Sequence, residues 1–256
     1  MSKKYKLGVA LSGGGAKGFA HAGALRALEE FGCKPDVIAG TSAGAIAGVL
    51  YSAGYTPKDI CSLFQKKGFA DFTQLTIPKA GFFNPNKFIE FLRRKIPYAN
   101  IEDLPIPMRV VSSDLDNGVV KVFTEGSLPE RVMASSTVPI VFPPTVIDGV
   151  HYVDGGVFCN FPVEAIRKEC EIVIGINVSP LAPTEYKTNV IEIALRAFNF
   201  MFRANSKESG KLCDILVEMP TVLQYETFSL SQVHEIYKLG YEETKKILQQ
   251  HSHLLA

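Results

Sequence analysis

Val37-Ile38-Ala39-Gly40-Thr41-Ser42-Ala43-Gly44 is a short apolar strand that runs into a G-x-S-x-G corner, from which an apolar helix leaves. The helix is expected from Ser42 to Ala53, where Gly54 stops it. So sharp a turn thrusts the serine hydroxyl out at the sheet's edge, and Gly40 and Gly44 remove side chains that would clash. Ser42 then sits at a helix N-terminus, whose free N–H groups and dipole favour developing negative charge. Taken alone, Gly40-Thr41-Ser42-Ala43-Gly44 also reads as a plain βα turn with Ser42 as its N-cap.

Upstream, residues 6–11 predict a buried strand, and Lys17 to Phe31 a helix that Gly32 ends. Small residues (Gly18, Ala20, Ala22, Gly23) should let this helix lie close to a sheet. Strand–helix–strand–helix alternation implies right-handed crossovers, hence an α/β fold with three α/β/α layers around a mainly parallel central sheet. Between the first strand and helix lies Gly13-Gly14-Gly15-Ala16-Lys17-Gly18. Its consecutive backbone N–H groups can point at an anion. It fits the dinucleotide pattern G-x-G-x-x-G, but that reading wants an acidic residue at the end of the next strand. Gly40-Thr41-Ser42 stands there instead, and Asp36 precedes the strand. The spacing therefore favours an oxyanion hole for Ser42 over a nucleotide-binding oxidoreductase. A P-loop is excluded because Gly18, not Ser or Thr, follows Lys17. A purely structural glycine turn also fits.

Downstream, Thr56-Pro57 and Asn84-Pro85 open helices to about Lys67 and Ile96. Strands are expected at 108–113 and 119–124 around an Asn117-Gly118 turn. A helix with Ser127 and Glu130 at capping-box spacing follows. Pro139 to Pro144 cannot be helical, and Asp148-Gly149 turns a second hairpin. Further strands lie at 172–178 and near 215–219, with amphipathic helices at 188–207 and 231–250. No linker interrupts the chain, so residues 1–256 are expected to form one domain whose motifs fall within about 5–180.

Asp154-Gly155-Gly156 follows the strand Val150–Val153. By itself it would be an Asp-Gly turn like Asp148-Gly149. Ser42, however, needs a base, and histidine is the usual one. His251 and His253 lie in a polar tail and His234 in an amphipathic helix, neither His21 nor His151 falls in the Ser…Asp…His order of ordinary α/β-hydrolases, and His21 is kept as a secondary candidate.

Together, Gly13 to Gly18, Gly40 to Gly44 and Asp154 to Gly156 resemble, in order and context, the patatin-like phospholipase family in its single-domain bacterial form. The stretch Ala134 to Pro144 is also similar. The resemblance implies a Ser–Asp dyad of Ser42 and Asp154, with no histidine, metal or cofactor. It implies an acyl-enzyme, with an oxyanion held by amides near Gly14, Gly15 and Ala16. Ser12 stands where plant members carry aspartate, and Lys17 where arginine is frequent. Lysine supplies a point charge rather than a bidentate fork. The expected substrate is a lipid or other acyl ester, with Phe82, Phe83, Phe88, Phe91 and the 139–144 segment as apolar surface. A catalytically silent regulatory or scaffold protein of the same fold is the alternative.

Composition bounds the partners. With 27 basic and 26 acidic residues and a net charge of +1, the chain lacks the basic excess of a nucleic-acid binder. Five cysteines without CxxC spacing predict reduced thiols in a cytoplasmic protein. No stretch approaches a bilayer span. The aromatic-rich segment Ile193 to Phe202 is expected to pack in the core or against a second copy before touching a membrane peripherally.

Overall fold

The computed structural model describes residues 3–65, 67–75, 81–181 and 190–254. The chain runs through β1 (Tyr5–Leu11), α1 (Phe19–Glu30), β2 (Val37–Thr41), α2 (Ala43–Ser52) and α3 (Pro57–Phe64). It continues through β3 (Gln74–Leu75), β4 (Phe83–Asn84), α4 (Asn86–Lys95), β5 (Met108–Asp114), β6 (Val119–Phe123) and α5 (Leu128–Ser135). Then come β7 (Thr145–Ile147), β8 (Val150–Asp154), α6 (Gly156–Cys159), α7 (Glu164–Arg167), β9 (Cys170–Asn177), α8 (Val190–Gly210), β10 (Ile215–Glu218) and α9 (Val233–Gln250).

The main sheet is ordered β10-β9-β1-β2-β5-β8-β7, with β6 also on β5. The five strands from β10 to β5 are parallel, and β6, β7 and β8 are antiparallel additions, so the sheet is mixed. Its parallel strands are buried on both faces, as helical cover demands. Val9 and Leu11 face a large core shared with α1, α2, α3 and α9, while Ala10 and Val173 face a smaller one with Phe161, Val163 and Ile166 around α7. Helices thus cover both faces, the expected three layers.

Several local expectations shift. The small residues of α1 serve a neighbouring helix as well as the sheet: a Cβ on Gly23 would lie 2.0 Å from the Tyr237 carbonyl of α9, and one on Gly240 2.1 Å from that of Ala20. The 57–64 helix stops short of Lys67, and Lys66 lies outside the described residues, as do 188–189 before α8. The Ser127 side chain makes no capping hydrogen bond, and Glu130 pairs with Arg93 and Arg131. Asp148 and Gly149 both have positive φ, 52° and 81°, as a tight hairpin turn requires.

One junction positions everything that follows. β2 pairs with β5 in parallel, with Thr41 opposite Val111, and β8 pairs with β5 antiparallel, with Asp154 opposite Ser112. β6 pairs Val110 to Asp114 on the other edge of β5. β2 and β8 must therefore share one edge, meeting end to end at successive rungs. The last residues of two strands distant in sequence are thereby brought together.

Candidate active site

The chain leaves β2 through Ser42, whose φ of 52° and ψ of −118° lie outside the regions open to ordinary L-residues. Such strain persists only where surroundings over-determine it. Gly44 passes so close to β1 that a Cβ there would sit 2.2 Å from the Leu11 carbonyl oxygen, and one on Gly40 2.6 Å from the Ala45 nitrogen. The Ser42 N–H donates to Ser135 Oγ at 2.8 Å, and Ser135 Oγ donates to the Val111 carbonyl. The Ser135 carbonyl accepts from Gly155 N–H at 3.3 Å, and the Thr137 carbonyl from Asp154 N–H at 2.8 Å. The stretch after α5 therefore braces both strand ends at once.

Asp154 is 1% exposed. Its Oδ1 accepts from Gly156 N–H at 2.8 Å. Oδ2 has no hydrogen bond of good geometry, yet the Ser42 hydroxyl is close enough to favour the charged carboxylate. Burial outweighs both donors and raises the carboxyl to about 6. A carboxylate poised there is a competent proton acceptor near neutral pH.

The glycine loop faces the same point. Gly13 N–H donates to the Asn160 carbonyl at 2.9 Å and Ala16 N–H to the Thr227 carbonyl at 2.8 Å. Both amides are thus engaged within the fold. The Gly14 and Gly15 amides have no acceptor among the described residues. Gly15 has φ of 59°, and a Cβ there would meet the Thr227 carbonyl at 2.4 Å. Lys17 lies on the turn Gly15–Gly18, and a Cβ on Gly18 would abut Ala43.

A cavity of about 730 Å³ joins these parts, lined by Gly13 to Gly18, Ser42, Ala43 and Asp154. The remaining motif residues act behind it: Thr41 Oγ1 donates to the Cys159 carbonyl at 2.9 Å, and Gly155 lies against the Val111 carbonyl. Gly156 faces the Phe202 ring of α8. Of the phenylalanines expected to hold an acyl chain, Phe88 lines the cavity, whereas Phe91 is core and Phe82 is exposed. Phe64, Phe69, Phe72 and Phe142 also form part of the apolar wall.

His21 does not line the cavity. It is fully buried, its Nε2 contacts the Ser12 carbonyl at 2.7 Å, and burial lowers its pKa to about 4. It braces the glycine loop as a neutral ring. Asp36 lies at the opposite end of the strands, where Oδ2 accepts from the Lys6 and Leu7 amides, so no acid stands where a ribose would sit.

Sequence reasoning passed over Ser135, Thr137, Asn160 and Arg203. Asn160 is buried; its side-chain amide reaches Ser206 Oγ at 3.4 Å, and its N–H donates to Asn205 Oδ1 at 3.0 Å. Its only signal was a lone amide inside an apolar stretch. Arg196, Phe200 and Arg203 all line the cavity from α8, and their i, i+4, i+7 spacing was legible as one helix face.

A family model described as patatin-like phospholipase matches residues 9–167. Lysophospholipase NTE1 of Kluyveromyces lactis is 27% identical over 95% of this chain and 19% of its own length. Patatin-like phospholipase domain-containing protein 7 of Mus musculus is 28% identical over 94% of this chain and 20% of its own length. An uncharacterized NTE family protein of Mycobacterium bovis is 30% identical over 71% and 52%. The chain thus spans about a fifth of the first two relatives and about half of the third. Among solved structures, VipD from Legionella pneumophila matches with a TM-score of 0.54 and 17% identity, covering 98% of this chain and 68% of that one, a likeness of fold.

Proposed function

This chain belongs to the patatin-like phospholipase family, and from that membership we propose that it is a lipid acyl-ester hydrolase with Ser42 as nucleophile and Asp154 as base. Asp154 accepts the Ser42 proton as Ser42 Oγ attacks the ester carbonyl. The oxygen that gains charge is held by the Gly14 and Gly15 amides. Asp154 returns the proton to the leaving alcohol, then takes one from the water that releases the acid. One oxyanion donor is worth roughly 10²–10³ in turnover.

The observation that carries this reading is a strained serine and a buried carboxyl brought together at one cavity by the β2–β8 junction. A silent scaffold would have no need of the strained corner. Among the described residues no helix is long and apolar enough to cross a membrane. Phe200 and Phe228 are 39% and 37% exposed while also lining the cavity, which supports a lipid surface docking at its mouth. Ile193 and Met201 on α8 are also about half exposed.

Fluorophosphonate labelling of the purified protein tests the assignment, since an activated serine alone reacts. Wild type should label and hydrolyse esters, and Ser42→Ala should do neither while keeping its fold. Full turnover in Ser42→Ala would discard Ser42 as nucleophile.

A further inference from the structure

Asn160 lines the cavity that holds Ser42 and is 1% exposed. Three of its four polar groups are already spent. Its N–H donates to Asn205 Oδ1 at 3.0 Å, its carbonyl accepts from Gly13 N–H at 2.9 Å, and its side-chain Nδ2 reaches Ser206 Oγ at 3.4 Å. The fourth, Oδ1, is buried and has no donor among the described residues. An amide can be turned end for end, so its orientation has to be argued from its partners. Ser206 Oγ gives its own hydrogen to the Phe202 carbonyl at 3.1 Å and can only accept from Asn160. Nδ2 therefore belongs at Ser206, and Oδ1 points the other way.

That other way is the reacting centre. A Cβ on Gly13 would meet Asn160 Oδ1 at 2.4 Å and the Ser42 Cβ at 3.4 Å, so amide and serine stand one glycine apart. A Cβ on Gly156 would lie 3.0 Å from the same Oδ1, and the Gly156 N–H donates to Asp154 Oδ1 at 2.8 Å. Asp154 Oδ2 is the second buried acceptor here without a hydrogen bond of good geometry. While Ser42 is free, its hydroxyl is the nearby donor for Asp154. Once Ser42 Oγ carries an acyl group it has no hydrogen left to give. Two buried acceptors then face one cavity, and leaving them bare is unfavourable. A water molecule has two hydrogens to offer.

We infer that Asn160 Oδ1 and Asp154 Oδ2 together hold the water that releases the acid, which makes Asn160 a positioning residue for the second half of the reaction. One hydrogen points at Asp154 and the other at Asn160, which leaves an oxygen lone pair for the acyl carbonyl. Asp154 takes the first proton as the new C–O bond forms and the carbonyl pair moves onto its oxygen. When that pair returns, the bond to Ser42 Oγ breaks and Asp154 hands its proton to Ser42. The acid leaves with the second hydrogen, and Ser42 and Asp154 are restored. The inference rests on the acyl-enzyme reading of Ser42.

Stopped-flow hydrolysis of para-nitrophenyl octanoate separates the two halves, because nitrophenolate appears on acylation and turnover waits for water. Asn160→Ala should keep the wild-type burst rate and its fluorophosphonate labelling. Its steady-state rate should fall about 10- to 100-fold, the range of one well-placed hydrogen bond. kcat and KM should fall together, and intact mass should show octanoyl-enzyme accumulating. Thermal melting establishes that each variant is folded. If Asn160→Ala does not fold, Ser206→Ala, which frees the amide to turn, should slow the steady state by a smaller factor and spare the burst. Burst and steady state slowed by one common factor would mark Asn160 as merely structural and overturn the inference, as would a steady state left unchanged. A wild type that neither bursts nor labels would instead remove the acyl-enzyme reading of Ser42, and this inference with it.

Discussion

Replacing Asp154 by asparagine should stabilise the protein while removing its activity. The carboxyl is 1% exposed, and burial raises it from 3.8 to about 6. Asparagine keeps an acceptor for the Gly156 N–H but carries no charge. A folded-state value above the unfolded one means that the folded chain holds its proton more tightly. That contribution is complete below about pH 4 and is lost as pH rises through 6. Above that window wild type holds an ionised group in a site that disfavours it by roughly 3 kcal/mol, and the variant escapes this. For a chain of this size the gain corresponds to roughly 6–12 °C in Tm. Urea unfolding of both proteins at pH 4, 6 and 8 measures it. The stability gap should open between pH 4 and 6 and stay level to pH 8, while ester turnover falls about 10²–10⁴-fold. A gap that ignores pH, or a wild type that is the more stable at pH 8, would refute the account of a desolvated base.

For a neutral ester, kcat/KM in wild type should rise through about pH 6 as Asp154 ionises and then level; a profile flat down to pH 4 would remove Asp154 from the role of base. Ser135→Ala leaves the buried Ser42 N–H without its acceptor, which should lower stability by about 1–3 kcal/mol by thermal melting and slow turnover with it. Unaltered melting would show the brace to be dispensable. Gly44→Ala puts a methyl group 2.2 Å from the Leu11 carbonyl and should destabilise by more than about 1 kcal/mol, with wild-type melting as the contrary result.

The three motifs were legible because each is dictated by local backbone geometry. Gly40 and Gly44 flank a corner that tolerates no side chain, and Gly15 occupies a left-handed conformation, so the glycines announce themselves. The parallel half of the sheet followed from strand–helix alternation. What stayed hidden is non-local. The two registers on β5 that join Thr41 to Asp154 have no signature in either strand, nor does the reach of Ser135 and Thr137 across them. The Gly13 and Ala16 amides looked equivalent to those of Gly14 and Gly15 until their acceptors, Asn160 and Thr227, were known. On α8, abundant aromatic residues drew attention from Arg196 and Arg203 on the face that meets the cavity.

The end-to-end contact of β2 and β8 also sets how little separates this chemistry from none. Val111 and Ser112 are adjacent rungs. One residue inserted between them would lengthen that rail by about 3.3 Å and rotate its facing pattern by half a turn. A serine and a carboxyl that meet across that rail would then be parted, although neither of their own strands had changed.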